Sequence, residues 1–600
     1  MIGERIKILE KNCISCYYCE VACITEHSKS KDPVKAYKDE GLRFKKRVVI
    51  NVQGALSVPF MCLHCRHPWC QDACISGAIS QIDKKVLLDE DRCVGCWGCI
   101  LACPYGAVHP NVKNNYVFKC DFCHERALRG LKPACVEVCP NKALVLEEIQ
   151  LQVPSKSQNI TILVNGGDYV KSKYLIIGAN VAAVGCIDGI RSVDGNSEIT
   201  IVSYEKTGCY SKSLLADYLK GKDVGHLTYR PQEYLEKYGV KSIWGMKATK
   251  IDFEKKQVIF GKTKLRIGFE NLLLAVGGVP IKPEIKGAEG KEDVYTFTEF
   301  SEVDRLRKNL RKLENFVVVG AGFTGTEVAY ALKKMGKDIT VVELMDRPLP
   351  MALDKDSSHI VENIMKEEGI RFIFNDSVTE ILGKEKVKGV KLKSGKKITC
   401  DAVVISIGVL PNGELKNGKL NFDRGFVVDE TMKTNIDNIY AAGDCASAYD
   451  ITIGKNRSLA LWPLAYLQGK VAGKNMAGKR TVYPGGLPLN SLKFLKLPVV
   501  SAGLTNPPPD KGYEVIVKEG KNYYYRRTLV IKDNKLKGFV SLGEIDGAGI
   551  LTMLIRSGMD VSGFKDKLLF PKIHISYLPA DFRKEKFIND KTDIEDTFLL

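Results

Sequence analysis

Residues 316–343 read FVVVGAGFTGTEVAYALKKMGKDITVVE. Four apolar residues, Phe316 to Val319, run straight into Gly320, Gly322 and Gly325, and a stretch of helical apolar period follows. Strand, glycine turn and helix in that order make a phosphate-binding βαβ unit. Gly320 permits the tight turn, Gly322 lets backbone approach a pyrophosphate, and Gly325 lets helix and strand pack closely. Glu343 ends the next strand, where a carboxylate meets the hydroxyls of an adenosine ribose. That carboxylate repels a 2′-phosphate, so NAD(H) is expected over NADP(H), with Arg347 moderating the preference.

A second unit lies upstream at 174–205, YLIIGANVAAVGCIDGIRSVDGNSEITIVSYE. Its fingerprint departs from the first: Gly178, Asn180 and Ala183 hold the three positions. Asn180 still permits the unusual backbone angle that glycine takes, though less freely. Glu205 follows the second strand and is a candidate for a ribose. By itself this unit leaves dinucleotide binding open. Further apolar strands at 199–202, 272–275 and 403–407 alternate with helical stretches. This alternation predicts doubly wound α/β architecture. Three later segments follow or end strands: Ala275-Val276-Gly277-Gly278-Val279-Pro280, Gly408-Val409-Leu410-Pro411-Asn412, and Ile439-Tyr440-Ala441-Ala442-Gly443-Asp444. After about residue 485 the pattern changes again, and 523–558 reads as two strands and a helix of a small α+β domain.

The first 140 residues have a different chemistry. Sixteen of the 20 cysteines lie there, in four quartets. The first is Cys13, Cys16, Cys19 and Cys23; the second is Cys62, Cys65, Cys70 and Cys74. The third is Cys93, Cys96, Cys99 and Cys103; the fourth is Cys120, Cys123, Cys135 and Cys139. The first and third follow C-x2-C-x2-C-x3-C, in which three thiolates grip one iron–sulfur cube and the fourth reaches a neighbouring one. Zinc sites instead use pairs of Cys-x-x-Cys knuckles. His64, His67 and Trp69, inside the second quartet, read as packing and hydrogen-bonding residues.

Six hundred residues exceed one core, and 45% apolar with 27% charged residues is a globular composition. No run of 18 apolar residues exists, so no membrane span is expected. The start, MIGERIKILEKNC, has neither an apolar targeting core nor twin arginines, and a cytoplasmic protein is expected. The formal charge of +18 counts the cysteines as neutral. Four oxidised cubes with their thiolates remove about eight charges in all, so a nucleic-acid partner is not expected. The densest basic run, Arg43 to Arg47, reads as a solvated loop, with a face for an acidic partner as the alternative.

The cysteine block resembles the four-cluster ferredoxin subunits of formate dehydrogenase, dimethyl sulfoxide reductase, hydrogenase and carbon monoxide dehydrogenase systems. The resemblance implies exchange of the last cysteines: Cys139 joins Cys13, Cys16 and Cys19, while Cys23 joins Cys120, Cys123 and Cys135. By the same resemblance Cys103 joins Cys62, Cys65 and Cys70, while Cys74 joins Cys93, Cys96 and Cys99. Ile24 and Ile75 stand where that family places proline after the last cysteine. From about residue 172 the chain resembles the pyridine-nucleotide disulfide oxidoreductase superfamily, in which a split FAD domain surrounds an inserted NAD domain. That resemblance implies that Asp444 holds the FAD ribityl chain. It also implies that the helix at 463–476 aims its N-terminus at the flavin. Ala275 and Gly408 belong to the cofactor-contacting segments. YSKSLLADYLKG at 210–221 is similar to the NADH oxidase, rubredoxin reductase and nitrite reductase branch, placing Lys212 near the FAD phosphates or the flavin edge. Glu327 is expected near the nicotinamide. Redox cysteines of the disulfide reductases have no counterpart; Ser213 aligns with the single cysteine of coenzyme A reductases, and Cys209 and Cys445 read as packed thiols.

The expected architecture is multidomain: an α+β polyferredoxin, then an α/β flavoprotein with two dinucleotide-binding domains, then a small α+β C-terminal domain. The boundaries are 1–150 for the ferredoxin and 151–170 for a connector. They are 171–295 with 412–484 for the FAD domain, 296–411 for the NAD domain and 485–600 for the last. The expected function is electron transfer between NAD(H), through FAD, and four [4Fe–4S] clusters. Beyond them stands a catalytic metalloenzyme subunit or another ferredoxin-linked redox enzyme, with carbon monoxide dehydrogenase or aldehyde:ferredoxin oxidoreductase favoured. Two alternatives stay open, an NADH oxidase that reduces dioxygen and a non-enzymatic electron-wire subunit. So do the direction of electron flow and a homodimer.

Overall fold

A computed structural model describes residues 2–40, 45–150, 169–261, 265–493, 497–520 and 525–583. The connector expected over 151–170 lies outside the described residues except for its last two. The chain forms two compact units. One joins residues up to Val153 with those from Leu489 onward; the other spans Pro154–Pro488.

In the first unit, Ile2–Ile8 pairs antiparallel with Leu144–Gln150, clasping the two ends of the cysteine block. Between them come three short hairpins, Val48–Gln53 with Leu56–Met61, Ile79–Ile82 with Lys85–Leu88, and Val108–Asn111 with Tyr116–Lys119. Each quartet places a cysteine on a short helix: Tyr18–Glu26, Trp69–Asp72, Gly98–Ala102 and Ala134–Glu137. The turns between the leading cysteines of each quartet pass through left-handed residues, Tyr17 (φ 60°), His64 (φ 49°), Trp97 (φ 63°) and Phe122 (φ 63°) among them. Bulky side chains in that region cost about 1–2 kcal/mol each. Such strain persists where function over-determines the backbone, here the turning of successive thiols toward one point.

The same unit contains a five-stranded antiparallel sheet in the spatial order Leu489–Leu492, Val499–Gly503, Lys535–Leu542, Arg526–Lys532, Glu514–Glu519. Helix Ala548–Ser557 follows, with every residue from Ala548 to Leu554 buried. A helix apolar all round needs partners on all sides. Its own sheet covers one side and the cysteine helix Gly98–Ala102 the other. The segments read from sequence as separate domains, 1–150 and 485–600, therefore share one core, in which Trp97, Ile100 and Val108 pack with Val500, Phe539 and Ile550. His109 Nδ1 meets Asp546 Oδ1 at 2.9 Å, and Arg583 Nε donates to Glu10 Oε2 at 3.3 Å across the same junction. The described part of the basic run is not a solvated loop. Lys45 donates to the Tyr116 hydroxyl at 2.6 Å, Lys46 pairs with Glu20 at 2.6 Å, and Arg47 pairs with Asp121 at 2.6 Å. Arg43 and Phe44 lie outside the described residues.

The second unit holds two open sheets. The larger is parallel through Val240–Trp244, Ile199–Ser203, Tyr169–Ile177, Leu265–Leu274 and Ile439–Ala441, with Gln257–Phe260 and Ala248–Asp252 added antiparallel. The smaller is parallel throughout, in the order Val294–Thr296, Ala402–Ile405, Asn315–Val319, Asp338–Val342, Arg371–Ile373. Gly278–Pro280 and Val409–Pro411 pair antiparallel where the chain passes between the two sheets. Helices Val181–Arg191 and Trp462–Met476 pack backbone to backbone, because a side chain on Gly469 would collide with the Ala182 carbonyl and one on Gly185 with that of Tyr466.

Candidate functional site

A cleft of about 440 Å³ opens at the carboxyl ends of the strands Tyr169–Ile177 and Ile199–Ser203, lined by Gly178, Glu205, Lys212, Ala275, Asp444 and Trp462 among others. This is where an open parallel sheet binds ligands. Gly178 (φ 109°) is required there, since a Cβ would stand 2.7 Å from the Ala275 carbonyl carbon. Glu205 accepts from the Tyr210 hydroxyl at 2.5 Å and pairs with Lys212 Nζ at 3.2 Å. Burial and the Glu205 carboxylate push the Tyr210 phenol well up, so it remains a donor. Burial also raises the Asp444 carboxyl above its ordinary range, and the Lys212 ammonium offsets part of that. The 15-residue helix Trp462–Met476 begins at the cleft, with Trp462 and Ala465 in its wall.

Asn180 does not use the backbone freedom that its residue type permits. Its backbone is extended (φ −118°, ψ −173°), not left-handed. Its side chain acts instead, accepting from the amides of Ala182 at 3.0 Å and Ala183 at 3.4 Å and donating to the Ala275 carbonyl at 2.6 Å. Ala183 is fully buried and is not part of the cleft lining; it packs the helix.

In the smaller sheet, Gly320 (φ 98°) turns the chain after Asn315–Val319, and helix Phe323–Lys334 starts beyond Gly322. Nothing lies within 4 Å of where a Cβ on Gly322 would stand, so this amide face is open to a ligand; Gly325 is closed against the Gly320 carbonyl. Glu343 reaches back over the turn, accepting from the amides of Ala321 at 2.6 Å and Met345 at 2.9 Å. Arg347 pairs with Asp346 at 2.7 Å. Glu327 is half-buried on the helix that starts at this turn. Gly408 (φ 107°) accepts from Ile281 N at 3.0 Å near the crossing between the sheets.

The cysteines gather in four groups. Cys13, Cys16, Cys19 and Cys139 line one small cavity of about 20 Å³. Burial and then repulsion from Cys62 and Cys103 raise the Cys65 thiol, and the same two neighbours act on Cys70. Cys74, Cys93 and Cys96 act on Cys99, and Cys23, Cys120 and Cys123 act on Cys135. The groups also form a row: Cys19 acts on Cys135, Cys62 on Cys120, and Cys70 on Cys99. Backbone amides point at the sulfurs, from His64 to Cys62 at 3.5 Å, Ala107 to Cys103 at 3.4 Å, Phe122 to Cys120 at 3.4 Å and Ala143 to Cys139 at 3.2 Å. Crowded, desolvated thiols that receive amide hydrogens suit a thiolate-bound cube. Burial pushes Cys103 up to about 11 and Cys19 up to about 12, so metal loading must release protons. His64 Nδ1 accepts from Val86 N at 3.0 Å, a hydrogen-bonding role within the second quartet.

The remaining thiols are packed. Cys209, Cys400 and Cys445 are buried with pKa values pushed up to about 12, and Cys445 donates to the carbonyls of Leu274 and Ala442. Ser213 lines the cleft, and none of the described lining residues is a cysteine. Sequence reasoning passed over Tyr204, whose hydroxyl donates to Glu299 at 2.7 Å, and over Tyr210, Glu299 and Trp462 in the cleft wall. The adjacency of Tyr204 and Tyr210 to Glu205 was a signal; Glu299, 94 residues further on, had none.

Comparison with known proteins follows the same divisions. The family model described as pyridine nucleotide-disulphide oxidoreductase matches residues 172–469. A 4Fe-4S dicluster domain matches 54–149, and a rubredoxin NAD+ reductase C-terminal domain matches 488–559. An NADH oxidase of Streptococcus pyogenes is 31% identical, over 56% of this chain and 77% of its own length. The nitrite reductase [NAD(P)H] of Bacillus subtilis is 29% identical over 65% of this chain, which spans 48% of that relative. The crystal structure of a ferredoxin reductase from Rhodopseudomonas palustris superposes with a TM-score of 0.58 at 26% identity, covering 62% of this chain and 91% of that one. Among the described residues no helix is long and apolar enough to cross a membrane.

Proposed function

This chain belongs to the pyridine nucleotide-disulphide oxidoreductase family, and from that premise we propose that it is an FAD-dependent NAD(P)H oxidoreductase that exchanges electrons with its own [4Fe–4S] clusters. We assign four clusters, one to each cysteine group. The observation that carries this reading is a cleft of the right chemistry without a cysteine in its described lining. The described lining offers no thiol acceptor, and a cysteine-rich segment is fused to the same chain.

FAD, when bound, supplies the conversion between hydride and single-electron transfer. The chain's residues position it. Glu205 receives ribose hydroxyls at the end of its strand. Lys212, paired with Glu205, supplies positive charge to the phosphates or the flavin edge. Asp444 accepts from the ribityl chain, and the start of helix Trp462–Met476 directs its positive end at the flavin. At the second turn, the open face of Gly322 takes the pyrophosphate of NAD(H), Glu343 takes its ribose, and Glu327 helps to position the nicotinamide. The clusters exchange electrons with a partner metalloenzyme, of carbon monoxide dehydrogenase or aldehyde:ferredoxin oxidoreductase type.

The test is an anaerobic NADH titration of the reconstituted protein, followed at flavin and iron–sulfur wavelengths. Bleaching of both is expected. Flavin bleaching without cluster reduction overturns the reading. Steady NADH consumption with dioxygen as sole acceptor and oxidised clusters supports the self-contained oxidase instead.

A further inference from the structure

Three kinds of donor converge on the group Cys62, Cys65, Cys70 and Cys103. Lys119 is 2% exposed, and its ammonium donates to the carbonyls of Cys120, at 2.6 Å, and Val86. Its charge acts on the sulfurs of Cys62, Cys65, Cys70 and Cys103, and also on Cys120 of the adjoining group. Among the described residues it forms no ion pair with a carboxylate. A buried ammonium is costly unless negative charge meets it, and the cysteine sulfurs are what it meets here. Tyr105 is 3% exposed, and its buried hydroxyl lies near Cys65 and Cys103 with no hydrogen-bond partner among the described residues. Amides of His64 and Ala107 complete the set.

Carboxylates act on the other groups: Glu20 on Cys19, Asp121 on Cys120 and Cys123, and Glu90 on Cys93. Two cations also reach them, His27, whose Nδ1 lies 3.8 Å from Cys23 Sγ but whose Nε2 is paired with Asp121 at 3.0 Å, and Lys493, which acts on Cys96.

We propose that Lys119 and Tyr105 give the cluster held by Cys62, Cys65, Cys70 and Cys103 the highest reduction potential of the four, making it the resting place of an electron in the row. The inference rests on the four-cluster reading above. Reduction of a cube adds one electron and requires no proton, so its negative charge grows by one. A nearby cation and O–H and N–H donors stabilise that added charge, whereas carboxylates oppose it. The position suits the role. This group is third in a row that runs from Cys19 to Cys135, from Cys120 to Cys62 and from Cys70 to Cys99, and so is interior to it. An electron held there is passed on rather than exposed at an end.

The test is an anaerobic dithionite titration of the reconstituted full-length protein, with each cluster followed by low-temperature electron paramagnetic resonance. In Lys119→Met the reduction equilibrium of the highest-potential component should weaken at least tenfold, about 59 mV for one electron. Lys119→Arg, which keeps the charge, should hold it within about twofold. Tyr105→Phe removes one oxygen atom and should lower the same component by a few-fold; it reports even where Lys119→Met fails to retain iron. Four clusters whose highest potential is unmoved in Tyr105→Phe and in Lys119→Met overturn this inference alone. Fewer than about eight irons in the reconstituted wild type overturn the four-cluster reading and this inference together.

Discussion

Gly549 has no room for a side chain against Cys103: an added Cβ would stand 2.8 Å from the Cys103 carbonyl carbon and 2.5 Å from the Ile100 oxygen. The C-terminal helix thus rests directly on the backbone of Cys103, which we assign to a cluster. Gly549→Ala should destabilise this unit by about 1–3 kcal/mol, the usual cost of overpacking. Denaturant unfolding followed at iron–sulfur wavelengths checks it. FAD content should not change, because the cleft assigned to FAD belongs to the other compact unit.

Asp444→Ala removes an acceptor for a charge-assisted hydrogen bond, worth about 1.5–3 kcal/mol. FAD should bind roughly one to two orders of magnitude more weakly, while iron content stays unchanged. NADH-driven cluster reduction should fall in proportion to lost FAD, and dithionite should still reduce the clusters. FAD-free protein that reduced its clusters with NADH at the wild-type rate would show that the flavin is not the point of entry.

The same carboxyl sets a pH dependence. Burial raises its pKa, which shifts the folded chain toward the protonated form. Its contribution to the stability of the flavin-free chain is greatest below the unfolded carboxyl value and declines as pH rises through the raised one. FAD affinity should run the other way, since the carboxylate is the better acceptor. Affinity should climb as pH rises above the ordinary aspartate range and then level off. Flavin fluorescence titrations of wild type and Asp444→Asn, the latter without that climb, check this.

Asn180 caps its helix through the amides of Ala182 and Ala183. Asn180→Ala should cost about 0.5–2 kcal/mol and Asn180→Gly a few tenths, read by thermal unfolding of the flavin-free protein. A larger loss in the glycine variant would contradict the capping role.

Glu343→Ala should raise the use of NADPH relative to NADH, because the carboxylate no longer repels a 2′-phosphate. Steady-state comparison of the two nucleotides checks it; a wild type that already favours NADPH contradicts the assignment.

Quantitative iron analysis should return about 16 irons per chain. Stripping them with a chelator under reducing conditions should unfold the unit that includes His109 and Asp546, since the strained turns at Tyr17, Trp97 and Phe122 lose the bonds that hold them. Far-ultraviolet circular dichroism before and after chelation reads the change.

Local pattern sufficed for much of this molecule. The strand–glycine–helix run at 316–343 places Gly320, Gly322 and Glu343 around one turn because residues so close in sequence have few ways to arrange themselves. The spacing of Cys93, Cys96 and Cys99 acts over the same short range. Tertiary structure decided what depends on distant segments meeting. Asn180 reads as a glycine substitute until its side chain is seen spanning from its own helix to Ala275. The helix Ala548–Ser557 reads as part of a separate domain until both of its faces are buried, one by its sheet and one by the cysteine block. Lys119 carries no sequence signal, being one lysine at the end of a short strand. Its burial among five cysteines drawn from residues 62 to 120 follows only when the hairpins stack. Short-range order is written by sterics and hydrogen bonding between neighbours, whereas the surroundings of a buried charge are set by every chain segment packed against it.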